Sequence, residues 1–199
     1  MKKIYELRKN SIPPISGVEA LSVVRSSMLA PKEEHSRLLE NFLIKILERE
    51  DVPEPGLRIL VSGSVIYDSE ILKMIEDAGG LIVTDDLCTG TRYFWDMVNP
   101  KTSPLVAIAD RYYERIPCPC NYPPEKRLEH IMNLVKDFKV EAVIFVLQKF
   151  CDPHLFDYPF MEDRLKEVEI PTLLIETEHV NSPIGPLKTR IEAFFETIQ

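Results

Sequence analysis

Hydrophobic and polar positions alternate along the chain in two distinct rhythms. The first third reads as helical. "KKIYELRKN" ends before Pro13 and Pro14, which break it. "SGVEALSVVRSSML" starts a second helix near Ser16. "APKEEHSRLLENFLIKILERE" is the third and longest, with Pro31 in its first turn and Leu38, Leu39, Phe42, Leu43, Ile46 and Leu47 at helical spacing. "DVPEPG" then marks a turn or linker. From Arg58 onward, short continuous apolar runs take over: "RILVSGS", "LIVTDD", "EAVIFVLQ" and "PTLLIETE". Between and after them lie helical patterns in "SEILKMIEDAGG", with Ser69 as N-cap, "TGTRYFWDMV", "SPLVAIADRYYERI", "EKRLEHIMNLVKDF", "FMEDRLKEV" and "PLKTRIEAFFETIQ".

Buried strands alternating with helices predict an α/β fold, a parallel sheet covered on both faces. The simplest arrangement is a doubly wound four-stranded parallel sheet, flavodoxin-like, of order 2-1-3-4. The expected division is an N-terminal helical segment, 1–55, and a parallel α/β domain, 56–199. Ligands of such sheets bind beyond the carboxyl ends of the strands. Those ends are Ser62-Gly63-Ser64, Asp85 to Arg92, "QKFCDPH" and Glu176 to Ser182. With this order the ends of the second and third strands flank the first. Two strand spacings place Cys88 and Cys151 roughly 10 Å apart across the Ser-Gly-Ser turn. That gap suits a bound ligand or cluster better than a disulfide, which needs Cα atoms within about 7 Å.

The same loops carry other candidates. Gly63 lets backbone approach a ligand closely, and a helix start after the turn offers N–H groups to an anion. Arg92 either pairs a bound anion or forms a salt bridge to Asp85 or Asp86. His154 is a proton donor, a hydrogen-bond partner of a thiolate, or a structural side chain. Cys118 and Cys120, in the loop "PCPCNYPP", are placed off this edge, in a structural loop or in a redox or metal role of their own.

Composition narrows the classes. The 199 residues are 45% hydrophobic and 28% charged, ordinary for a globular domain. A formal net charge of −8 argues against a general binder of nucleic acid or anionic membrane. No apolar run reaches the length of a membrane span, and the N-terminus lacks the apolar stretch of a signal peptide. A cytoplasmic location is the expectation, and with it four reduced cysteines. None of the four forms a Cys-x-x-Cys pair, so no zinc ribbon or thioredoxin-type site is signalled.

"DDLCTGTRYF", "RIPCPCNYPPEKR", "GVEAL", "FVLQKFCDPHLFDYPF", "IPTLLIETE" and "KTRIEAFFE" are spread along nearly the whole chain. Together they resemble the 2-hydroxyacyl-CoA dehydratase and benzoyl-CoA reductase family, specifically the C-terminal half of one subunit. The resemblance implies two facing α/β domains with a [4Fe–4S] cluster between them, held by three cysteines. It implies radical dehydration of a 2-hydroxyacyl-CoA, or reduction of an aromatic acyl-CoA, with the electron delivered by an ATP-dependent iron–sulfur activator. Cys151 is the first expected cluster ligand and Cys88 the second. Ser62, Gly63, Ser64, Arg92 and His154 are the accompanying cofactor-binding candidates. A third ligand is expected from an N-terminal domain or sister subunit, and an oligomer is expected. The sequence departs from the family at Pro186, where a glutamine is expected before "LKTR". The alternative expectation is a non-catalytic α/β binding or assembly module that lacks the N-terminal catalytic half.

Overall fold

The computed structural model describes residues 1–116, 118–178 and 184–198. Its sheet has four parallel strands, β1 (Leu57–Gly63), β2 (Gly80–Asp86), β3 (Ala142–Gln148) and β4 (Thr172–Thr177), in the order β2-β1-β3-β4. The apolar runs of the sequence are these strands, and the expected order is the observed one.

Strand periodicity sorts the core into two layers. Ile59, Val61, Ile82, Ile144, Val146 and Ile175 point to one face, where α4 (Glu70–Asp77) and α9 (Ile184–Ile198) pack. Leu60, Leu81, Val83, Val143, Phe145 and Leu147 point to the other, covered by α7 (Glu125–Asp137) and α8 (Asp152–Glu167). Both faces are therefore dry, which is why β2 is buried at every position.

The N-terminal helices α1 (Lys2–Leu7), α2 (Gly17–Leu29) and α3 (Lys32–Leu47) differ in their attachment. Ser16 and Glu19 form a capping box that starts α2: Glu19 N donates to Ser16 Oγ at 3.1 Å, and Ser16 N donates to Glu19 Oε2 at 3.0 Å. Leu21 of α2 joins one core layer and Val24 the other, so α2 straddles the outer edge of β2. Gly17 is required there, because a Cβ would press into the Ile82 side chain. Arg8 donates to the Ile82 carbonyl at 2.8 Å, satisfying an acceptor of the edge strand β2. Tyr5 of α1 sits in the core against Phe94. By contrast α3 buries only His35 and Ile46 fully.

Two helices differ from the sequence expectation. The pattern "TGTRYFWDMV" yields one turn only, α5 (Thr91–Phe94). Its start is locked by Asp85, whose carboxylate accepts from Thr91 N at 2.7 Å while Thr91 Oγ1 donates to the Asp85 carbonyl at 2.6 Å. The helix expected from Phe160 begins instead at Asp152. Pro153 falls in its first turn, where no N–H is needed, and Pro159 is accommodated in its interior. The helix α6 (Pro104–Glu114) buries only Ala107. Pro186 falls in the first turn of α9 and is exposed, a position that tolerates proline.

Candidate functional site

The carboxyl ends of the strands form one edge of the sheet, and beneath it lies a buried charge network. Asp86, the last residue of β2, has no solvent exposure. Arg92 grips its carboxylate with two nitrogens, at 2.6 and 2.7 Å, and donates to its carbonyl at 2.8 Å. Arg127 of α7 donates to the same carboxylate at 2.8 Å. Ser62 Oγ, at the end of β1, donates to it at 2.9 Å. Arg127 also reaches Asp157 of α8 at 2.6 Å and Ser62 Oγ at 3.2 Å. Burial alone pushes the Asp86 carboxyl up, but Arg127 and Arg92 outweigh it and hold the group far below the ordinary carboxylate range. Asp86 is therefore held as the anion that the two guanidinium groups face.

Two histidines border this network. His154, in the first turn of α8, is buried. Burial, with the Arg92 and Arg127 cations nearby, lowers its pKa to about 3. The imidazole is therefore neutral at neutral pH, and any proton it donates comes from the neutral ring. His130 of α7 has its pKa lowered by burial as well; its Nε2 lies 3.8 Å from Asp86 Oδ1 and has no hydrogen-bond partner among the described residues.

The remaining strand-end candidates are held within the fold. The hydroxyl of Ser62 belongs to the Asp86 network. Ser64 Oγ accepts from Gln148 N at 3.2 Å, fastening the end of β1 to β3. At Gly63 the close approach is to β3: a Cβ there would collide with the Val146 carbonyl. The next helix, α4, begins at Glu70 and not directly after this turn. Besides the single turn of α5, the helix start at this strand-end edge is that of α8, with Cys151 as its N-cap residue. Residues 179–183, in the expected loop after β4, lie outside the described residues.

Above the network sit the thiols. Cys88 is exposed, and Arg92 Nη1 donates to its Sγ at 3.6 Å. Cys151 is half-buried. The placement of Cys118 and Cys120 off this edge is corrected. Cys120 is hydrogen-bonded to Cys118 and lies within electrostatic reach of both Cys151 and Cys88. Cys118 in turn acts on Arg92 together with Cys88. The loop returns to the edge because α6 is tied back to the segment after α5. Arg111 donates to the carbonyls of Asp96 and Tyr93 at 3.0 and 2.8 Å, and Ile116 N donates to Asp96 Oδ2 at 3.0 Å. The hydrogen bond with Cys118, and the charge of Cys118 beside it, raise the Cys120 pKa, with burial and the other two thiols adding to the effect. Cys118 thus lines one groove with Cys88, Cys120 lies two residues further on, and Cys151 starts α8 at the same edge, so four thiolate-forming side chains, the ligand type of a metal centre, belong to one edge. Sulfur donors, a hydrogen bond to one sulfur and two fixed cations beneath them suit an iron–sulfur centre in donor chemistry. Among the described residues, no three His, Cys, Asp or Glu side chains are grouped as ligands to a single ion.

Sequence reasoning missed Arg127, Asp157 and His130. The signal was present in the periodicity. Arg127, Ile131 and Leu134 share the buried face of α7, so Arg127 occupies a core position. Asp157 follows His154 on the buried side of α8, a placement hidden by the two prolines. A charged residue at a core position is a demand for a partner.

An α/β protein with a thiol-lined strand-end edge over a buried ion network is the class that fold and site define. Comparison with known proteins makes it specific: the pattern of the 2-hydroxyglutaryl-CoA dehydratase, D-component, family matches residues 1–198, and the chain belongs to that family. It is 31% identical, over 88% of its length, to the (R)-phenyllactyl-CoA dehydratase beta subunit of Clostridium sporogenes, covering 47% of that protein. It is 26% identical over its whole length to the lactoyl-CoA dehydratase subunit beta of Anaerotignum propionicum, covering 54% of it. It is 23% identical, again over its whole length, to a benzoyl-CoA reductase subunit of Thauera aromatica, covering 53% of it. The chain thus spans about half the length of these relatives. Among the described residues no helix is long and apolar enough to cross a membrane.

Proposed function

We propose that this chain is the cluster-bearing C-terminal half of a subunit that dehydrates a 2-hydroxyacyl-CoA or reduces an aromatic acyl-CoA. The observation that carries this reading is the placement of Cys88 and Cys151 at the strand-end edge of a protein in this family, with Cys118 lining the same groove as Cys88. Cys151 and Cys88 are the first candidates to hold a [4Fe–4S] cluster, and the convergence of the loop adds Cys118 and Cys120 as thiols of the same edge. A cluster bound there supplies one-electron transfer to the acyl-CoA. The chain's own part is electrostatic. Arg92 donates to the Cys88 sulfur, and its own pairing with Asp86, shared by Arg127, holds that donor in place. His154, held neutral, adds no charge of its own.

The remaining ligands are assigned to a partner domain or sister subunit. The surface beside the thiols supports such a partner: Phe150 and Phe156, flanking Cys151, are 90% and 84% exposed. Two of the relatives are named as beta subunits. A groove of about 1190 Å³ opens beside Cys88 and Cys118, between α1, α3 and α6. Its lining carries Lys2, Lys3, Lys32, Arg92, Arg111 and Arg115 against Glu40 and Asp96, a basic excess in a protein of net charge −8, with apolar side chains between them. A basic rim on an apolar groove suits an anionic thioester with a long polar tail.

The test is anaerobic co-purification with a sister subunit and an ATP-dependent iron–sulfur activator, followed by turnover of a panel of 2-hydroxyacyl-CoA and aromatic acyl-CoA esters. Water loss or ring reduction with one ester class supports the reading. A cluster-loaded complex that turns over none of them would instead support a non-catalytic assembly module.

A further inference from the structure

We propose that Arg127, acting through Asp157, is a positioning residue that fixes Cys151 relative to Cys88 across β1. Arg127 is 1% exposed, and each guanidinium nitrogen takes a partner from a different element. Nε donates to Asp157 of α8 at 2.6 Å, Nη1 to Asp86 of β2 at 2.8 Å, and Nη2 to Ser62 of β1 at 3.2 Å. On the far side of Asp86, Arg92 continues the connection to the Cys88 sulfur. A single chain of charge-assisted bonds therefore runs from Cys88, through Arg92, Asp86, Arg127 and Asp157, into the helix that begins at Cys151. Two cations and two anions balance within it, so each group is held by the others.

The tie is placed where α8 needs it. Pro159 has no N–H, so the helix lacks the bond that would otherwise run back to the Leu155 carbonyl. The turns from Asp152 to Tyr158 are thus coupled more weakly to the rest of α8 than in an unbroken helix. Asp157 lies within those turns and anchors them sideways to two strands. Its position is six residues beyond Cys151, about 9 Å along a helix, so a small rotation at Asp157 moves the thiol. Lysine cannot replace the fork, because a point charge does not offer three directed donors to three elements.

The inference takes the thiol edge as the functional edge, but its test needs no cluster, so the two fail separately. In a Cys118→Ser/Cys120→Ser background, Cys88 and Cys151 are bridged with a rigid bis-maleimide, and the yield is read by mass spectrometry. Asp157→Ala severs the α8 end only. Arg127→Met removes the hub, Arg127→Lys is the conservative variant, and Arg164→Ala on the exposed side of α8 is the control. The expected result is a several-fold loss of bridging in Asp157→Ala and Arg127→Met, with no rescue in Arg127→Lys. Mono-maleimide labelling of Cys88 should stay unchanged in Asp157→Ala, whose near-UV circular dichroism should remain native. Wild-type bridging in Asp157→Ala, or a loss no greater than the unfolded fraction measured by circular dichroism, overturns the proposal.

Discussion

His154 makes the structure's most quantitative demand on solution behaviour. Its folded pKa is lowered to about 3 by burial and by the Arg92 and Arg127 cations, against an ordinary value of 6.5. A basic group with a lowered folded pKa takes up a proton more readily when unfolded. Its contribution to stability is therefore fully present above pH 6.5 and is lost as pH falls toward 3. At pH 5 the unfolded imidazole is almost entirely protonated and the folded one almost entirely neutral. The difference amounts to about 1.5 pH units at about 1.36 kcal/mol each, or about 2 kcal/mol. His154→Gln keeps a polar side chain of similar reach and removes the titration. Urea unfolding at pH 7.5 and pH 5 should show the wild type losing about 2 kcal/mol more than the variant over that interval. The Asp86 carboxylate does not interfere, because its folded pKa is depressed and its contribution falls only below the range of an ordinary aspartate. Parallel losses in the two proteins would refute the reasoning, since they would mean that the folded imidazole protonates as readily as a free one.

Other consequences follow from the same network and from the strand ends. Asp86→Asn leaves Arg92 and Arg127 buried with Asp157 as the carboxylate still bonded to Arg127. Removing one partner of buried pairs costs about 3–5 kcal/mol. For a chain of this size that is a melting temperature lower by roughly 6–20 °C in differential scanning calorimetry, and a drop under about 2 °C would contradict it. Gly63→Ala drives a methyl into the Val146 carbonyl, and the β1–β3 pairing at those two residues leaves the backbone little room to retreat. The expected loss is about 1–3 kcal/mol in urea unfolding, with the parallel sheet retained by far-UV circular dichroism.

The sheet was legible because its strands are buried on both faces. Runs such as "AVIFVLQ" need no alternation to be recognised, and once they are ordered 2-1-3-4 the loops at Ser62, Cys88 and Cys151 must share an edge. Pairing Arg92 with Asp86 was one of two readings that local spacing allowed, and the structure shows the pairing, with Cys88 beside it. What stayed hidden depended on distant contacts. The Cys118–Cys120 loop returns to the edge through bonds between Asp96, Arg111 and Ile116, none of which has a periodic signature. Pro153 and Pro159 disguised the first half of α8, because local propensity counts each as a breaker while tertiary packing accepts both. Arg127 and Asp157 were visible as charges, but their pairing spans 30 residues and two helices.

The central claim is that this edge holds an iron–sulfur cluster and that Cys151 is one of its ligands. The most direct measurement is Mössbauer spectroscopy of the chain, reconstituted anaerobically with ⁵⁷Fe and sulfide together with the proposed partner subunit, and of its Cys151→Ser variant prepared alongside. The account predicts a [4Fe–4S] spectrum in the wild type and its loss in the variant, with circular dichroism of the two proteins unchanged. No cluster in the wild-type complex, or an identical spectrum in Cys151→Ser, would contradict it.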